Sequence, residues 1–331
     1  MSVLVTGAAG YVGAHMLLAL HDAGEQAVGL DDLSTGSRVL VPDSAPLVVS
    51  DVGDKDTLLK VFREYDVKEV IHFAGSILVP ESLEHPLAYY RNNTMKTLTL
   101  LEACVEAGIT RFIFSSTAAV YGTPDLIPIS ESAPVLSISP YGASMAMSER
   151  ILTDASVAHG LSYITLRYFN VAGADPRGRA GEIGRPTHLI KVAAQIAVGT
   201  RKECLKIYGS DYPTPDGSAI RDYVHVTDLA DAHLLALEKL RLGGGSTTLN
   251  VGYGRGYSVL EVIEAVERVT GETLPHEIAS RRPGDPPQLI ADSAAVKRVL
   301  DWRPRYDDID FIVRTAIDWE RKLAAGSSAA S

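Results

Sequence analysis

The chain has 331 residues and a mass of 35.5 kDa, enough for about two domains. Its 31 Lys and Arg against 41 Asp and Glu give a formal net charge of −10, which argues against a general nucleic-acid binder. Two cysteines exclude a disulfide scaffold and favour a cytoplasmic location, and no apolar run suits a membrane span. Strand-like Val3–Val5 follows Ser2 directly, so we expect no signal peptide.

Short β-branched runs alternate with longer amphipathic stretches through the first half of the chain. The runs predict strands at Val3–Thr6, Gln26–Leu30, Leu47–Val49, Glu69–Phe73, Arg111–Ser115 and Ser162–Arg167. The stretches between them predict helices at Tyr11–Ala23, Lys55–Tyr65, Pro86–Ala107 and Pro140–His159. This alternation predicts an α/β fold with a doubly wound parallel sheet of the Rossmann type.

The pattern changes after Asn170, where Gly, Pro and Arg-rich loops interrupt the elements. We therefore expect a Rossmann domain over residues 1–170 and a smaller C-terminal substrate-binding lobe over residues 171–325. Helical spacing of apolar residues predicts a return to the first domain at about 223–240. The low-complexity residues 326–331 are expected to form a flexible tail.

A glycine cluster stands between the first predicted strand and the first predicted helix. Gly7, Gly10 and Gly13 enclose Tyr11 and Val12 there. Small residues at this turn let the backbone approach a pyrophosphate that lies on a helix N-terminus. The cluster therefore indicates a dinucleotide site.

Acidic residues after the next two strands support the same interpretation. Asp31 lies eighteen residues beyond Gly13, near the spacing expected for a carboxylate that binds ribose. Asp31 and Asp32 would repel a 2′-phosphate, so the pattern favours NAD over NADP. Asp51 and Val52, after the third strand, are candidates for the adenine end of the site.

Hydroxyl side chains follow the fifth predicted strand. Ser115, Ser116 and Thr117 stand at the carboxyl edge of the sheet, where open α/β sheets bind ligands. Tyr141 opens the fourth predicted helix. This placement predicts catalysis on a hydroxyl group. No His, Cys or carboxylate spacing indicates a metal site.

Longer stretches of the chain match the patterns of one family in both halves. They are Val3–Gly7, Val70–Gly75, Tyr89–Asn93, Phe114–Gly122, Arg167–Asn170, Tyr208–Tyr212, Asp216–Val226 and Arg281–Asp285. With these motifs the chain resembles the extended short-chain dehydrogenases and, within them, the UDP-galactose 4-epimerases. The resemblance implies NAD-dependent inversion at C4 of a UDP-hexose, with UDP-glucose and UDP-galactose as the favoured pair.

The same resemblance implies roles for individual residues. Tyr141 would be the base and Thr117 its hydroxyl partner, with Ser116 beside them. Further cofactor contacts are implied for Phe73, Ala74, Gly75, Asn92, Ser115, Tyr141 and Tyr168. Contacts with the UDP-sugar are implied for Asn170, His188, Leu189, Tyr208, Arg221, Arg282 and Asp285.

The resemblance also implies a homodimer. The helices Pro86–Ala107 and Pro140–His159 would pair with those of a second copy. These helices have more apolar positions than one face of the sheet alone would need; the positions are Leu98, Leu101, Val105, Ile151 and Leu152. The alternative is that these residues belong to the core of a single chain.

One position departs from the family pattern at the centre of the chemistry. The family motif Tyr-x-x-x-Lys is Tyr141-Gly142-Ala143-Ser144-Met145 in this chain. The family's lysine binds the nicotinamide ribose and lowers the pKa of the tyrosine, which an uncharged thioether cannot do. An engineered substitution, a natural variant with altered chemistry and a cation supplied from elsewhere remain open. Leu289 stands where relatives vary in bulk, which leaves acceptance of N-acetylated sugars open.

Two other functions are compatible with these residues. A nucleotide-sugar dehydratase or decarboxylase of the same fold needs an extra acid/base pair, and Thr117-Ala118-Ala119 supplies no carboxylate. A protein that binds NAD and a UDP-sugar with weakened catalysis is the second alternative, and Met145 is its main support.

Overall fold

The computed structural model of the chain describes residues 2–184, 187–282 and 285–328. Its strands are β1 (Ser2–Thr6), β2 (Ala27–Asp31), β3 (Leu47–Val49), β4 (Val67–His72), β5 (Arg111–Thr117), β6 (Ser162–Tyr168), β7 (Asn170–Ala172), β8 (Leu205–Tyr208), β9 (Ile220–Arg221), β10 (Tyr223–His225), β11 (Thr247–Val251), β12 (Tyr257–Ser258), β13 (His276–Ala279) and β14 (Gln288–Leu289).

Helices separate most of these strands. They are α1 (Tyr11–Asp22), α2 (Lys55–Glu64), α3 (Val79–Glu84), α4 (Pro86–Tyr89), α5 (Lys96–Glu106), α6 (Pro140–His159), α7 (Leu189–Ala197), α8 (Val226–Arg241), α9 (Val259–Thr270), α10 (Ala294–Leu300) and α11 (Ile309–Ser328). No helix in the described part of the chain is both long enough and apolar enough to span a bilayer.

The central sheet is parallel throughout. Within the described residues it has seven strands in the order β11-β6-β5-β4-β1-β2-β3. Its edge strand β11 comes from a part of the chain that the sequence assigned to the smaller lobe, so the return to the first domain runs beyond the predicted 223–240. The predicted α/β fold of the Rossmann type is confirmed.

Alternation along the strands covers both faces of the sheet with apolar side chains. Val3 and Val5 of β1 pack with Met16 of α1 and Leu229 of α8. Leu4 lies in a second cluster on the opposite face, which α2, α5 and α6 cover. A parallel sheet buried on both faces in this way places its carboxyl ends as the accessible edge for ligands.

The prediction of one continuous helix over Pro86–Ala107 is wrong. Between α4 and α5, residues Tyr90–Met95 form a π-helical segment. The buried amide nitrogen of Asn93 donates to the Ser76 carbonyl and to the Ser144 hydroxyl, at 3.0 Å each. These bonds tie the segment to α6 and to the loop after β4, beside the ligand edge of the sheet. Such single-turn widenings of a helix are frequent at functional sites.

The smaller lobe consists of short strand pairs and the C-terminal helices. Strand β8 pairs with β13, and β9 pairs with β12 and β14. Helix α11 packs against α7 and α9 and continues to Ser328. The first three residues of the predicted tail, 326–328, thus continue this helix, and residues 329–331 lie outside the described part of the chain.

Candidate functional site

A cavity of about 550 Å³ opens at the carboxyl ends of β1, β2, β4 and β5 and continues to the smaller lobe. Most residues predicted for cofactor, catalysis and substrate line it together. They are Gly7, Gly10, Tyr11, Val12, Gly13, Asp31, Asp32, Val52, Phe73, Ala74, Gly75, Asn92, Thr117, Tyr141, Tyr168, Asn170, His188, Arg221 and Asp285. The structure thus brings the two predicted halves of the site into one cavity.

The turn between β1 and α1 is built for close approach of the backbone. Gly7 has a φ of +67°, and a Cβ on Gly13 would lie 2.1 Å from the Gly7 carbonyl oxygen. Gly10 is the N-cap of α1, and no side chain among the described residues caps this helix start. The amide groups of the first turn therefore face the cavity edge with the positive end of the helix dipole, which suits a dinucleotide pyrophosphate.

Asp31 ends β2 with a fixed carboxylate. Its Oδ2 accepts from the Ala9 amide at 2.9 Å and its Oδ1 from the Leu33 amide at 2.8 Å. Burial raises the pKa of Asp31, and the hydrogen bonds from these two backbone amides lower it. The carboxylate therefore stands preorganised beside the glycine turn, where a ribose diol fits. Together with the glycine turn it makes a cradle that fits NAD.

The adenine end of the cavity differs from the prediction in one residue. Asp51 does not line the cavity, because its carboxylate pairs with the Lys96 ammonium at 2.8 Å and accepts from the Gly53 amide at 2.7 Å. Lys96 itself lines the cavity and was missed. Its spacing of four residues from Asn92 is the signal that could have found it, since residues four apart share a helix face.

Thr117 and Tyr141 meet at the floor of the cavity. Strand β5 runs two residues beyond its predicted end and so carries Thr117 to the edge of the sheet. Ser139 caps α6 by accepting from the Gly142 amide at 3.2 Å, which puts Tyr141 in the first helical turn. Burial raises the pKa of the Tyr141 phenol, and a hydrogen bond with Thr117 lowers it. No charged group of the described residues contributes to this shift.

Met145 lies one helical turn after Tyr141 but does not line the cavity. Its side chain is 9% exposed and belongs to an apolar cluster that includes Tyr89, Tyr141 and Leu152. The position that holds a lysine in the family is thus filled by an apolar contact beside the phenol.

The structure corrects the placement of the two serines before Thr117. Ser116 faces away from the cavity and donates to the Glu149 carboxylate at 2.5 Å, which also binds the Arg167 guanidinium at 2.5 Å. Ser115 is also buried behind the cavity wall, 2.8 Å from the His233 Nε2 and within a hydrogen bond of Tyr168. Neither serine lines the cavity. Side chains alternate along a strand, so Ser116 cannot share the face of Thr117.

Four predicted substrate contacts at the other end line the cavity: Asn170, His188, Arg221 and Asp285, as does Leu289. The His188 Nδ1 lies 2.8 Å from the Glu182 carboxylate, also a lining group and one that the sequence did not single out. Glu182 lies within the Gly, Pro and Arg-rich loop that the sequence predicts at Asp175–Pro186, where it is an acidic residue among arginines.

Three predicted substrate contacts lie outside this cavity. The Arg282 guanidinium stacks on the Tyr208 ring, 3.7 Å from its centroid, and neither residue lines the cavity. Leu189 begins α7 and lines a second, smaller cavity instead. The predicted substrate contacts of these three positions stay predictions.

Among the described residues, no three His, Cys, Asp or Glu side chains are grouped as a metal site. The lining offers instead hydroxyls, amide groups, the cations Lys96 and Arg221, and the carboxylates of Asp31, Asp32, Glu81, Glu182 and Asp285. This donor set suits a charged organic ligand of two connected parts.

Residues 3–252 match the NAD dependent epimerase/dehydratase family, which is more than half of the chain. The chain belongs to this family. It is 58% identical over 322 residues to a UDP-glucose 4-epimerase from Azospirillum brasilense, covering 97% of this chain and 92% of the relative. Its fold is similar to that of a Brucella ovis UDP-glucose 4-epimerase in complex with NAD, with a TM-score of 0.92 and 44% identity over 96% of this chain and 97% of that one.

A further solved structure is relevant to both halves of the cavity. The UDP-glucose 4-epimerase of Bifidobacterium longum in complex with NAD⁺ and UDP is similar with a TM-score of 0.92 and 38% identity, over 98% of this chain and all of that one. These relatives confirm the resemblance to the UDP-galactose 4-epimerases, because UDP-glucose 4-epimerase and UDP-galactose 4-epimerase are two names for the enzyme of one reversible reaction. They also confirm NAD as the cofactor.

Proposed function

We propose that the chain interconverts UDP-glucose and UDP-galactose at C4 with bound NAD, and that Met145 makes it slow at neutral pH. The observation that carries the proposal is the single cavity in which the glycine turn, the Thr117–Tyr141 pair and Arg221 are all lining groups. The cofactor, the base and a cation for a diphosphate are thereby arranged along one path. The relatives named UDP-glucose 4-epimerase support the choice of sugar nucleotide.

The residues divide the work by their positions. The Tyr141 phenolate accepts the proton of the sugar 4-hydroxyl and returns it later, while the Thr117 hydroxyl donates to the phenolate oxygen and stabilises its charge. Bound NAD takes the C4 hydride and gives it back on the opposite face of the sugar. Arg221 and His188 hold the diphosphate, and Asp285 accepts from ribose hydroxyls.

Met145 limits the first of these steps. Burial raises the pKa of Tyr141 above its ordinary value of about 10, and no cation of the described residues acts against the shift. The phenol is then almost entirely protonated at neutral pH, so few molecules hold an active base. We therefore propose that binding of the UDP-sugar is retained while turnover is low.

Conversion of UDP-galactose by the purified chain tests the proposal. Extraction after denaturation should release NAD(H) from the purified chain, and UDP-glucose should accumulate slowly from UDP-galactose. A product that has lost water or carbon dioxide would instead show a dehydratase or decarboxylase. If the chain binds neither NAD nor UDP, the proposal is wrong.

We also propose a homodimer formed by the helices α4 to α6. The prediction that Leu101 and Leu152 lie at this interface is wrong, because both side chains are buried in the core of the single chain. Among the described residues, four large apolar side chains remain well exposed on these elements: Leu87, Val157, Met95 and Met147. Segment 90–95 and α5 both pack on α6, so the last two belong to neighbouring elements. Light scattering should show a species of twice 35.5 kDa.

A reducing compartment suits the chain. Cys104 is buried and Cys204 is exposed, and both are free thiols. An exposed free thiol persists best where disulfides do not form, so we propose the cytoplasm as the location. The binding partner that we propose is the UDP-sugar substrate.

A further inference from the structure

We infer that Asp222 is a positioning residue for the UDP-sugar half of the cavity, an inference that rests on the proposed function. It lies between β9 and β10, where the chain passes from the smaller lobe to the Rossmann sheet. Asp222 is fully buried and does not line the cavity. Any influence on a ligand must therefore pass through the groups it binds.

The backbone of Asp222 joins two lining residues from different parts of the chain. Its carbonyl oxygen accepts from the Asn170 amide at 2.9 Å, and its own amide donates to the Leu289 carbonyl at 3.0 Å. Its neighbour Arg221 lines the cavity directly. A single residue thus connects three groups that face the sugar nucleotide, and a small displacement of Asp222 would move all three.

The side chain of Asp222 holds this residue in place. Oδ1 accepts from the Tyr253 amide at 2.9 Å, and Oδ2 accepts from the Gly254 amide at 2.9 Å and the Ala291 amide at 3.2 Å. The first two donors follow β11 of the Rossmann sheet, and the third follows β14 of the smaller lobe. The carboxylate therefore fastens the substrate-binding strand pair of β9 and β14 to the edge of the central sheet.

The surroundings leave this carboxylate little room to move. A Cβ on Gly252 would lie 2.5 Å from the Asp222 Oδ2 and 2.5 Å from the Ala291 Cβ. Among the described residues no cation pairs with this carboxylate, and burying it against backbone amides alone costs desolvation energy. Hydrogen bonds from three backbone amides offset that cost, and together they fix the carboxylate in one orientation.

Asp228 provides a matched control. It is as buried as Asp222 and its carboxylate also accepts three hydrogen bonds, from the Tyr253 hydroxyl and from the amides of Arg305 and Tyr306. The two aspartates share Tyr253, whose amide donates to Asp222 and whose hydroxyl donates to Asp228. The difference between them is that the backbone of Asp222 also bonds to the lining residues Asn170 and Leu289. Changing either aspartate to asparagine sets an NH₂ group against at least one donor, so both variants lose comparable stability.

The experiment compares Asp222→Asn with Asp228→Asn by calorimetric titration of the NAD-containing protein with UDP and with UDP-glucose. We expect Asp222→Asn to weaken binding of UDP-glucose by about tenfold, the equivalent of one lost hydrogen bond to a charged group, with NAD content unchanged. In a Met145→Lys background, its KM should rise with little change in kcat. Asp228→Asn should lower the melting temperature similarly and leave both affinities in place.

The outcomes separate this inference from the proposed function. If the unmodified chain binds neither UDP nor UDP-glucose, the proposed function fails. If it binds them and the two asparagine variants bind equally well or equally badly, the positioning role of Asp222 is refuted. Should Asp222→Asn fail to fold, Gly252→Ala displaces the carboxylate without removing its charge, and unchanged UDP-glucose affinity in that variant would also refute the role.

Discussion

Substituting Met145 with lysine tests the electrostatic basis of the proposed function. Residues four apart share one face of a helix, so the new ammonium can approach the Tyr141 phenol, and a separation of about 6 Å between the two charges serves as the reference distance. At an effective dielectric constant of about 20, a unit charge at that distance stabilises a phenolate by about 3 kcal/mol and lowers its pKa by about two. At neutral pH this raises the phenolate fraction about a hundredfold. We expect the same gain in the rate of epimerisation.

The rate should be followed by chromatography of UDP-glucose formed from UDP-galactose between pH 6 and pH 10 at saturating substrate, roughly the range in which a perturbed phenol titrates. Burial raises the pKa of Tyr141, so the rate of the unmodified chain should climb about tenfold per pH unit without levelling off. The Met145→Lys rate should level off within or near this range, because the added charge places its plateau about two pH units below that of the unmodified chain.

Two variants control for effects other than charge at this position. Met145→Gln has similar length but no charge, and it should remain as slow as the unmodified chain. Ala158→Lys adds a cation at an exposed position of the same helix and should also remain slow. Equal rates for the unmodified chain and Met145→Lys at neutral pH would refute the reasoning, because another group would then activate Tyr141 or Tyr141 would not be the base.

The cofactor carboxylate, the end of β5 and the sugar end of the cavity each give a further prediction. Asp31→Ala should lower the NAD content of the purified chain at least tenfold, in roughly the range for a lost charged hydrogen bond, as chromatography of a denatured extract would show. In a Met145→Lys background, Thr117→Val should lower kcat by about 10²-fold, whereas Ser116→Ala should cost about 1–2 kcal/mol of unfolding free energy in urea titration and leave kcat nearly unchanged. Equal losses of kcat would show that Ser116 takes part in catalysis. Leu289→Tyr should reduce conversion of UDP-N-acetylglucosamine more than that of UDP-glucose, because a larger ring fills the cavity, and Leu289→Ala should have the reverse effect.

The sequence was most informative where a local pattern suffices. The spacing of Gly7, Gly10 and Gly13 belongs to one turn, and Asp31 follows the next strand at a characteristic interval. Both depend on residues close together in the chain, so the predicted cofactor cradle has its counterpart in the structure. Most predicted strands and helices of the first half likewise agree with the structure to within two residues.

The placement of individual hydroxyl groups needed the structure. Ser115, Ser116 and Thr117 are adjacent in sequence, but the continuation of β5 to Thr117 turns Ser116 toward Glu149 on α6. Whether a strand ends before or after such residues depends on its pairing with β6, which is formed by residues far along the chain. A short polar run carries no signal for that pairing.

The sequence by itself determined the alternating α/β order, the glycine turn and the absence of a lysine one turn after Tyr141, because each is a property of neighbouring residues. Only the tertiary structure decided that Thr247–Val251 completes the sheet, that Tyr208 and Arg282 stack outside the cavity, and that Asp222 fastens the two lobes together. These features depend on contacts between residues that lie far apart in the chain. Such contacts exist only once burial of both faces of the sheet has brought the segments together.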